Sequence, residues 1–359
     1  IKQYGRYKND RKEGIWESFY FNGNSKLKEE YDSLSVKVIS FNDRFGKPLL
    51  ENGKGKIMEY HQNNNLKLEG FYENYLKEGV WNSYTETGRQ LSKKNFKKGL
   101  ANGIWESYFE NGKLEYKGNF VDDQKEGIWK YYFSNGNKKK EETYKNGKKT
   151  GTFRLWNEDG TMLEEGQYKE GEKIGEWKWY RDSGLLDMEG SFLSGEQNGK
   201  WVYYYKDTLQ ILSTGEFWEG KKQGQWDYYY LGGEKWKSGF FDEDKKDSTW
   251  KTWHENGTLI VEGKYKNGLE VDRWFTYYSD GNQQDEGLYE AGKMIGQWNG
   301  WYPTGEMRYQ GNYLNGEKSG NWKYWNERGA QELEENYKKG LLDGLRKSWY
   351  ANGKLRDEG

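Results

Sequence analysis

The sequence predicts an all-β protein, an elongated single-layer antiparallel meander of β-hairpins with a 24-residue period. Three observations predict it: aromatic residues recur in registered columns, Gly-containing turn pairs recur between them, and aliphatic residues are scarce beside 19 Trp, 31 Tyr and 15 Phe. Aromatic side chains must therefore supply most of the buried area. A fixed internal period indicates a repeat array, although 359 residues would otherwise suggest two or three domains.

The first column is the aromatic residue of a recurring Gly-x-Trp tripeptide, here called the anchor. From Trp81 onward the anchors recur with a 24-residue step, except for the 25-residue step from Trp201 to Trp226. Extending the period places Ile57 and Arg346 in the same position, so the chain holds about 14 units. The anchors are Trp16, Ile57, Trp81, Trp105, Trp129, Phe153, Trp177, Trp201, Trp226, Trp250, Trp274, Trp298, Trp322 and Arg346.

Two further aromatic columns keep the same register. The second lies three residues after the anchor, as at Tyr108 and Tyr132, and the third lies twelve residues later, as at Phe120 and Tyr144. Three registered columns do not arise by chance. They predict side chains that share defined faces of a regular sheet.

Turn residues predict where the strands end. Seven residues after the anchor a Gly usually follows Asn or Asp, as at Asn111-Gly112 and Asp159-Gly160, and these pairs predict two-residue type I′ hairpin turns. A second Gly closes the other end of the unit, as at Asn146-Gly147. Two turns in every repeat leave two short strands in each unit.

The turn position also predicts the pairing of the two strands. With Asn111-Gly112 as the turn, Phe109 faces Leu114 and Trp105 faces Gly118. Trp recurs opposite Gly in other units, and a large ring can lie over a residue that has no side chain. We therefore expect each anchor Trp to cover the Gly that it faces.

Two irregularities define the predicted organisation. Residues 1–30 form an N-terminal repeat unit, residues 31–54 a divergent unit or junction, and residues 55–359 a continuous array. The 31–54 segment is interpreted as a degenerate unit with Ile39 near the anchor position, or alternatively as a docking element. The extra residue of the 25-residue step is placed in the hairpin from Tyr203 to Gly215.

Composition excludes several classes of function. The 57 basic and 58 acidic residues are interleaved, which argues against nucleic-acid binding. No run of 18 apolar residues predicts a transmembrane segment, and without Cys there is no thiolate metal site. The sequence begins at Ile1, which leaves open a removed signal peptide or lipid anchor.

No set of residues predicts catalysis, a cofactor or a metal. His61 and His254 lie four residues after the anchor, in a column that is otherwise mostly aromatic, and are interpreted as ordinary strand residues. Adjacent glutamates are interpreted as solvated side chains, because an acid/base pair would need one buried member. These pairs are Glu29-Glu30, Glu141-Glu142, Glu164-Glu165 and Glu334-Glu335. We therefore expect a protein that is not an enzyme and holds no cofactor.

Aromatic residues outside the three columns are the candidate contacts for a partner or a glycan. They thicken the region from residue 129 to residue 236 and are interpreted either as additional cross-strand packing or as a binding stripe, since Tyr and Trp dominate interaction hot spots. The candidates are Trp179, Tyr203, Tyr205, Trp218, Tyr228, Tyr230 and Trp236.

The run Gly-x-Trp-x-x-Tyr-x-x-Asn-Gly-Lys-Leu, plainest from Gly103 to Leu114, resembles the MORN repeat, in particular the bacterial YwqK-type antitoxin-like variant. The resemblance covers nearly the whole chain. It implies a single-layer antiparallel sheet with a shallow aromatic groove and brings no catalytic motif. Eukaryotic MORN proteins are associated with membranes and scaffolding.

The predicted function is a repeat scaffold for protein–protein interaction, in a bacterial cell envelope or secreted, with the cytoplasm as the alternative. Trp201 to Tyr205 also resembles the wall- and glucan-binding repeats of Gram-positive surface proteins, so a carbohydrate- or cell-wall-binding module is the alternative function. Lipid-surface binding and an antitoxin or immunity role rank below both.

Overall fold

The computed structural model describes residues 2–32 and 35–359, and in these ranges it contains 33 β-strands and no α-helix. The described residues therefore include no helix that could cross a lipid bilayer. The chain divides into two compact units, called the first unit (up to Lys173) and the second unit (from Ile174), each of which contains several 24-residue repeat units. The division falls inside a single strand.

The strands that begin in the first unit are β1 Gln3–Lys8, β2 Arg11–Phe19, β3 Ser25–Tyr31, β4 Val36–Asn42, β5 Pro48–Glu51, β6 Lys54–Tyr60, β7 Leu66–Glu73, β8 Leu76–Tyr84, β9 Gln90–Lys97, β10 Leu100–Ala101, β11 Gly103–Tyr108, β12 Leu114–Val121, β13 Gln124–Tyr132, β14 Lys138–Lys145, β15 Lys148–Trp156, β16 Met162–Lys169 and β17 Glu172–Tyr180, in which the division lies.

The remaining strands belong to the second unit. They are β18 Leu186–Leu193, β19 Glu196–Tyr204, β20 Ile211–Trp218, β21 Lys221–Tyr229, β22 Lys235–Asp242, β23 Lys245–Trp253, β24 Leu259–Lys266, β25 Leu269–Tyr277, β26 Gln283–Glu290, β27 Lys293–Trp301, β28 Met307–Leu314, β29 Glu317–Trp325, β30 Gln331–Lys338, β31 Leu341–Leu342, β32 Lys347–Trp349 and β33 Leu355–Glu358.

Within each unit, successive strands pair antiparallel in chain order, so the predicted hairpin meander is confirmed. In two places one strand of the repeat is interrupted and forms two shorter strands. There β10 and β11 both pair with β9, and β31 and β32 both pair with β30. The regular units otherwise repeat one pairing pattern. Antiparallel neighbours joined by tight turns are the connection that local sequence signals specify best.

The turn seven residues after the anchor is not the predicted type. Phe109 N–H donates to the Lys113 carbonyl and Gly112 N–H donates to the Phe109 carbonyl, both at 2.8 Å. Only Gly112 of the loop residues 110–112 has positive φ, so this is a three-residue loop with a type I turn followed by a glycine bulge. The pairing shifts by one, and Leu114 faces Tyr108, so the predicted Phe109–Leu114 pair is wrong.

The turn at the other end of the unit has two residues. Asn146 and Gly147 have φ of 48° and 77°, and the flanking Lys145 and Lys148 are paired. Positive φ at both central positions identifies a type I′ turn. The two kinds of turn thus differ in geometry, although Asn-Gly occurs in both.

Trp105 faces Gly118 as predicted, but a different indole covers this glycine. A Cβ on Gly118 would lie 2.1 Å from the ring of Trp129, which comes from the following strand. The pairing of the two strands shifts at Gly118, and Trp129 Nε1 donates to the Asn119 carbonyl at 3.1 Å. The indole therefore fills a bulge and satisfies a backbone carbonyl there.

The same contact recurs along the chain, in the pairs Gly5/Trp16, Gly70/Trp81, Gly190/Trp201, Gly215/Trp226, Gly239/Trp250, Gly263/Trp274, Gly287/Trp298 and Gly311/Trp322. Because each glycine is covered by the next tryptophan, the contact joins one hairpin to its neighbour. Repeat arrays depend on such nearest-neighbour contacts.

Anchor tryptophans form the core. Trp177 is completely buried, and Trp201 and Trp226 are each 1% exposed. Trp201 lies edge-on to Phe192 and Phe217 of the third column, at 5.4 and 5.7 Å between ring centroids. Alternating edge-to-face contacts of this kind stabilise aromatic pairs beyond their buried area.

The first irregular segment continues the sheet through β4 and β5, and Ser33 and Leu34 lie outside the described residues. Val38, Phe41 and Leu50 are buried there, while Ile39 is only half-buried. Val38 faces Glu29.

The second irregularity is the 25-residue step from Trp201 to Trp226. Tyr205 N–H donates to the Gln210 carbonyl, one residue farther than in other loops, so the predicted site of the extra residue, the hairpin from Tyr203 to Gly215, is confirmed.

Candidate interaction surface

Three of the candidate aromatics, Trp179, Tyr203 and Tyr228, lie two residues after an anchor and pack on the anchors. Trp179 stacks on Trp201 with ring centroids 5.5 Å apart and an interplanar angle of 27°. Tyr203 and Tyr228 flank Trp226 at 6.3 and 6.2 Å. All three are half-buried, and burial raises the pKa of both tyrosines. Their ring faces are largely occupied by packing within the sheet.

Tyr205 and Tyr230 occupy the first position of their loops. Their hydroxyls donate to backbone carbonyls of the next hairpin, Tyr205 to Tyr229 at 2.7 Å and Tyr230 to Trp253 at 2.8 Å. Tyr278 makes the same contact with Trp301. The position four residues after the anchor therefore connects neighbouring hairpins in these units.

The two histidines occupy this loop position rather than a strand position. His61 Nε2 lies 2.9 Å from the Tyr84 carbonyl, the contact that tyrosines make elsewhere, and His254 N–H closes its own loop on Thr258 at 2.8 Å. Within residues 2–32 and 35–359, no three His, Cys, Asp or Glu side chains are placed to hold a metal ion. The prediction that these histidines lie in strands is therefore wrong by one position.

Trp218 and Trp236 are the exposed members of the candidate set, at 62% and 39%. The preceding Phe217 contacts Trp226 on the face that holds the anchors, here called the aromatic face, so Trp218 points to the opposite face. Trp236 contacts Tyr228 at 6.3 Å and belongs to the aromatic face. The two exposed indoles are thus on opposite faces of the second unit.

Trp218 lines an open groove of about 570 Å³. The groove is lined by Glu196, Trp218, Glu219, Lys221, Gln223, Asp242 and Glu243. Lys221 is paired with Glu243 at 3.2 Å, which leaves the groove with a net negative charge. It presents one indole surface beside carboxylates.

Lysines four residues before the anchor cover the anchor rings. Lys222 Nζ lies 4.3 Å from the ring centroid of Trp226 and 5.2 Å from that of Phe241. The aliphatic stem shields the indole and the ammonium lies over its π face. The same contact with the anchor is made by Lys12, Lys77, Lys125, Lys149, Lys246 and Lys318. Eight of the 14 repeat units carry Lys at this position. This column of lysines is a sequence signal that was missed beside the more regular aromatic columns.

Two glutamates of the adjacent pairs are buried, so their interpretation as solvated side chains is wrong. Glu142 is 2% exposed and Glu335 is 8% exposed, and both occupy the position that holds Gly in regular units. Their register places them under the next anchor, and in both units that anchor is not Trp but Phe153 or Arg346. The smaller or charged anchor leaves room for a carboxylate.

Glu142 is held by three neighbours. Lys149 and Lys140 lie at 2.8 and 3.1 Å, and the Tyr144 hydroxyl donates to it at 3.0 Å. Burial acts to raise the pKa of Glu142, but the hydrogen bonds from Lys149 and Lys140 outweigh it and lower the pKa overall. The carboxylate is therefore ionised at neutral pH and serves as a structural charge, not as a general acid.

We expect the double variant E142G/F153W to be at least as stable as the native protein, and each single variant to lose about 1–3 kcal/mol. Glu142→Gly leaves two lysines without their carboxylate, and Phe153→Trp has no space beside Glu142. Together they recreate the Gly–Trp contact of the regular units. Urea unfolding of the four proteins tests the coupling, and additive losses would contradict it.

The same variants test the pH dependence. Because the folded-state pKa of Glu142 is lowered from 4.5, its stabilisation is present above that value and is lost as pH falls through the lowered pKa. The double variant lacks this carboxylate, so its loss of stability between pH 5 and pH 3 should be smaller than that of the native protein.

Seven segments of the chain match the family model described as "MORN repeat variant", namely residues 12–33, 101–122, 125–146, 149–170, 246–267, 294–315 and 342–359. The segment 101–122 contains the Trp105 hairpin and ends inside the following two-residue turn, and so corresponds to one structural unit. No curated protein matches the chain.

Solved structures similar to this chain are toxin complexes. A chain of the structure titled TcdB2-TccC3 is 10% identical with a TM-score of 0.17, and the match covers 97% of this chain and 24% of that one. The structure titled TcdB2-TccC3-Cdc42 gives 12%, 0.16, 96% and 21%, and that of the Photorhabdus luminescens Tc holotoxin pore gives 13%, 0.16, 94% and 21%. The present chain spans about a quarter or less of their length. TM-scores this low do not establish a shared fold or function.

Proposed function

We propose that this chain, which is built of MORN-variant repeats, is a non-enzymatic scaffold that binds a protein partner. The observation that carries the proposal is the exposure of Trp218 on β20 and of Trp236 on β22, two strands that both pair with β21. Isolated exposed apolar residues are common, but an indole held on ordered backbone beside charged groups is the composition of interface hot spots.

The regular hairpin architecture supports the same function. Repeat arrays present one kind of surface over many units, and partners engage several units together. The buried charged residues described above, such as Glu142, are held by neighbouring side chains and stabilise the sheet. We propose the bacterial cell envelope or the cell exterior as the compartment, on the family resemblance alone, and fractionation of the source organism tests it.

The experiment is affinity capture with the intact protein from a lysate of its source organism. Native protein should recover a partner, and Trp218→Ala or Trp236→Ala should reduce the recovery by about tenfold, the effect of losing one hot-spot side chain. Whichever variant loses the partner identifies the binding face, because the two indoles lie on opposite faces.

Leu314→Ala is the matched control. Leu314 lies eight residues before its anchor, as Trp218 does, and is also 62% exposed. It should leave recovery unchanged. Equal recovery by native protein and by the W218A/W236A double variant would contradict this assignment of the surface, and no partner above background would contradict the scaffold itself.

Carbohydrate binding is supported less well. Trp179, Tyr203 and Tyr228 pack their rings on anchors, and the exposed Trp218 and Trp236 cannot stack on one sugar chain together because they lie on opposite faces. A change in intrinsic fluorescence on titration with a polysaccharide, absent in the W218A or the W236A variant, would favour it.

A further inference from the structure

Three lysines converge on the aromatic face of the second unit. Lys222 lies on β21, Lys237 on β22 and Lys246 on β23. The Lys237 and Lys246 ammonium groups both lie over the ring of Trp250, at 5.8 and 4.9 Å from its centroid. Lys222 lies over the neighbouring anchor Trp226. The three charges therefore share one patch of the surface.

No carboxylate of the described residues lies within 4.0 Å of any of these three ammonium groups. Burial lowers the pKa of Lys222 and of Lys246, and in both cases the charge of Lys237 lowers it further. The carboxylates that offset this effect, Asp244 for Lys222 and Glu270 for Lys246, act from beyond ion-pair distance. The patch is a concentration of positive charge in which none of the three lysines has an ion pair with a described residue of the chain.

The first unit contains the same three lysines in the same register. Lys125, Lys140 and Lys149 lie four residues before an anchor, eleven after it and four before the next, as Lys222, Lys237 and Lys246 do. No other 24-residue repeat of the sequence has Lys at all three positions. The two sets are internal copies of one arrangement.

In the first copy a carboxylate occupies the arrangement. Glu142 is ion-paired with both Lys140 and Lys149 and is nearly inaccessible to solvent. In the second copy the equivalent residue is Gly239, and the indole of Trp250 lies over it. A carboxylate for the second copy must therefore come from outside the chain and approach over the indole, where the ammonium groups lie.

We propose that Lys222, Lys237 and Lys246 form a site for a carboxylate of an acidic segment of the protein partner, a proposal that rests on the scaffold function above. The internal copy shows which group satisfies this arrangement, and charge-assisted bonds to a carboxylate are strong when partly desolvated. Trp236, 39% exposed, and Tyr228 border the site and offer contact area to a peptide. A peptide backbone can place a carboxylate over the ring while its apolar atoms lie on these aromatics.

The test is the fluorescence anisotropy of a labelled hexaglutamate peptide titrated with the full chain at physiological ionic strength, where weak surface attraction is screened. Native protein should bind it, and K222Q/K237Q/K246Q should bind about tenfold more weakly or not at all, as expected when charge contacts at an interface are removed. The control K200Q/K206Q/K266Q removes three exposed lysines of the same unit and should bind as the native protein does.

A second variant supplies the missing carboxylate from within. G239E/W250F copies the Glu142–Phe153 pair into this unit and keeps all three lysines, so it should lose the peptide through internal competition. The reverse change, E142G/F153W, should create a second peptide site in the first unit. These two variants separate a specific site from general attraction, because the lysines are unchanged in both.

Three results would overturn the proposal. The first is equal peptide binding by the native protein and the triple lysine variant, and the second is an equal loss of binding in the control variant. The third is sedimentation with phosphatidylserine vesicles that depends on the three lysines while the peptide does not bind. The last would identify a lipid surface instead. If affinity capture recovers a partner while hexaglutamate does not bind, the scaffold function stands and this site assignment fails.

Discussion

Replacing Gly190 with alanine is expected to destabilise the second unit by about 3 kcal/mol or more, the upper range for overpacking a core. A Cβ at this position would lie 2.2 Å from the ring of Trp201. That indole is 1% exposed, stacks on Trp179 and donates to the Ser191 carbonyl at 3.2 Å. It cannot move away without losing these contacts. Gly190 does not have positive φ, so the cost is steric.

Gly199→Ala is the control for this variant. Gly199 has φ of 73° and nothing within 4 Å of an added Cβ, so alanine there should cost about 1 kcal/mol through backbone strain alone. Urea unfolding followed by hydrogen exchange across β18 and β19 measures both. Equal costs at the two glycines would mean that the indole does not hold the register.

The sequence predicts the hairpins because the same signals recur in most repeat units. An aromatic column and a turn pair that both return with the 24-residue period locate the strands, and the pairing of Trp105 with Gly118 follows from the turn between them. A single hairpin would have been ambiguous. The hairpin from Tyr203 to Gly215 was predictable as the place of the extra residue for the same reason, and the structure narrows this to the loop 205–210.

The turn type and the covering ring were not predictable in this way. Asn-Gly occurs in both kinds of turn, and only the position of φ > 0 distinguishes Asn111-Gly112 from Asn146-Gly147. The pattern shows that Trp and Gly share a level of the sheet. It does not show that the bulge at Gly118 opens toward Trp129 of the following strand.

The sequence predicts which aromatic residues are candidates for the surface, but only the structure shows which of them are exposed. Seven extra aromatics stood out, but spacing alone could not separate Trp218, which is exposed, from Trp179, which stacks on anchors. The sequence alone does not single out Lys222, Lys237 and Lys246, because 57 basic residues are interleaved along the chain. The significance of these lysines depends on a comparison between Gly239 and Glu142, which becomes visible only when the burial of Glu142 is known.

Deleting one whole 24-residue unit, residues 250–273, is expected to preserve folding and to change the melting temperature by only about 3 °C, since neighbouring interfaces in a repeat array are equivalent. The deletion joins Thr249 to Trp274. Trp274 then enters the bulge at Gly239 that Trp250 occupies in the native chain, and it keeps its own pairing with Gly287. Every contact of the lost unit is replaced by its counterpart.

The 23-residue deletion of 250–272 should be far more damaging. Arg273 then takes the level of the anchor opposite Gly239, and Trp274 turns to the opposite face, because a one-residue slip inverts every following side chain. The natural extra residue lies in the loop 205–210, where the chain can bulge outward. The deletion instead begins within strand β23, whose residues 245–247 pair with β22 and whose residues 248–253 pair with β24. The expected loss is about 3–5 kcal/mol, the cost of removing a buried tryptophan. Thermal melting of both deletions beside the native protein decides the point, and equal melting temperatures would mean that the 24-residue period does not determine the structure.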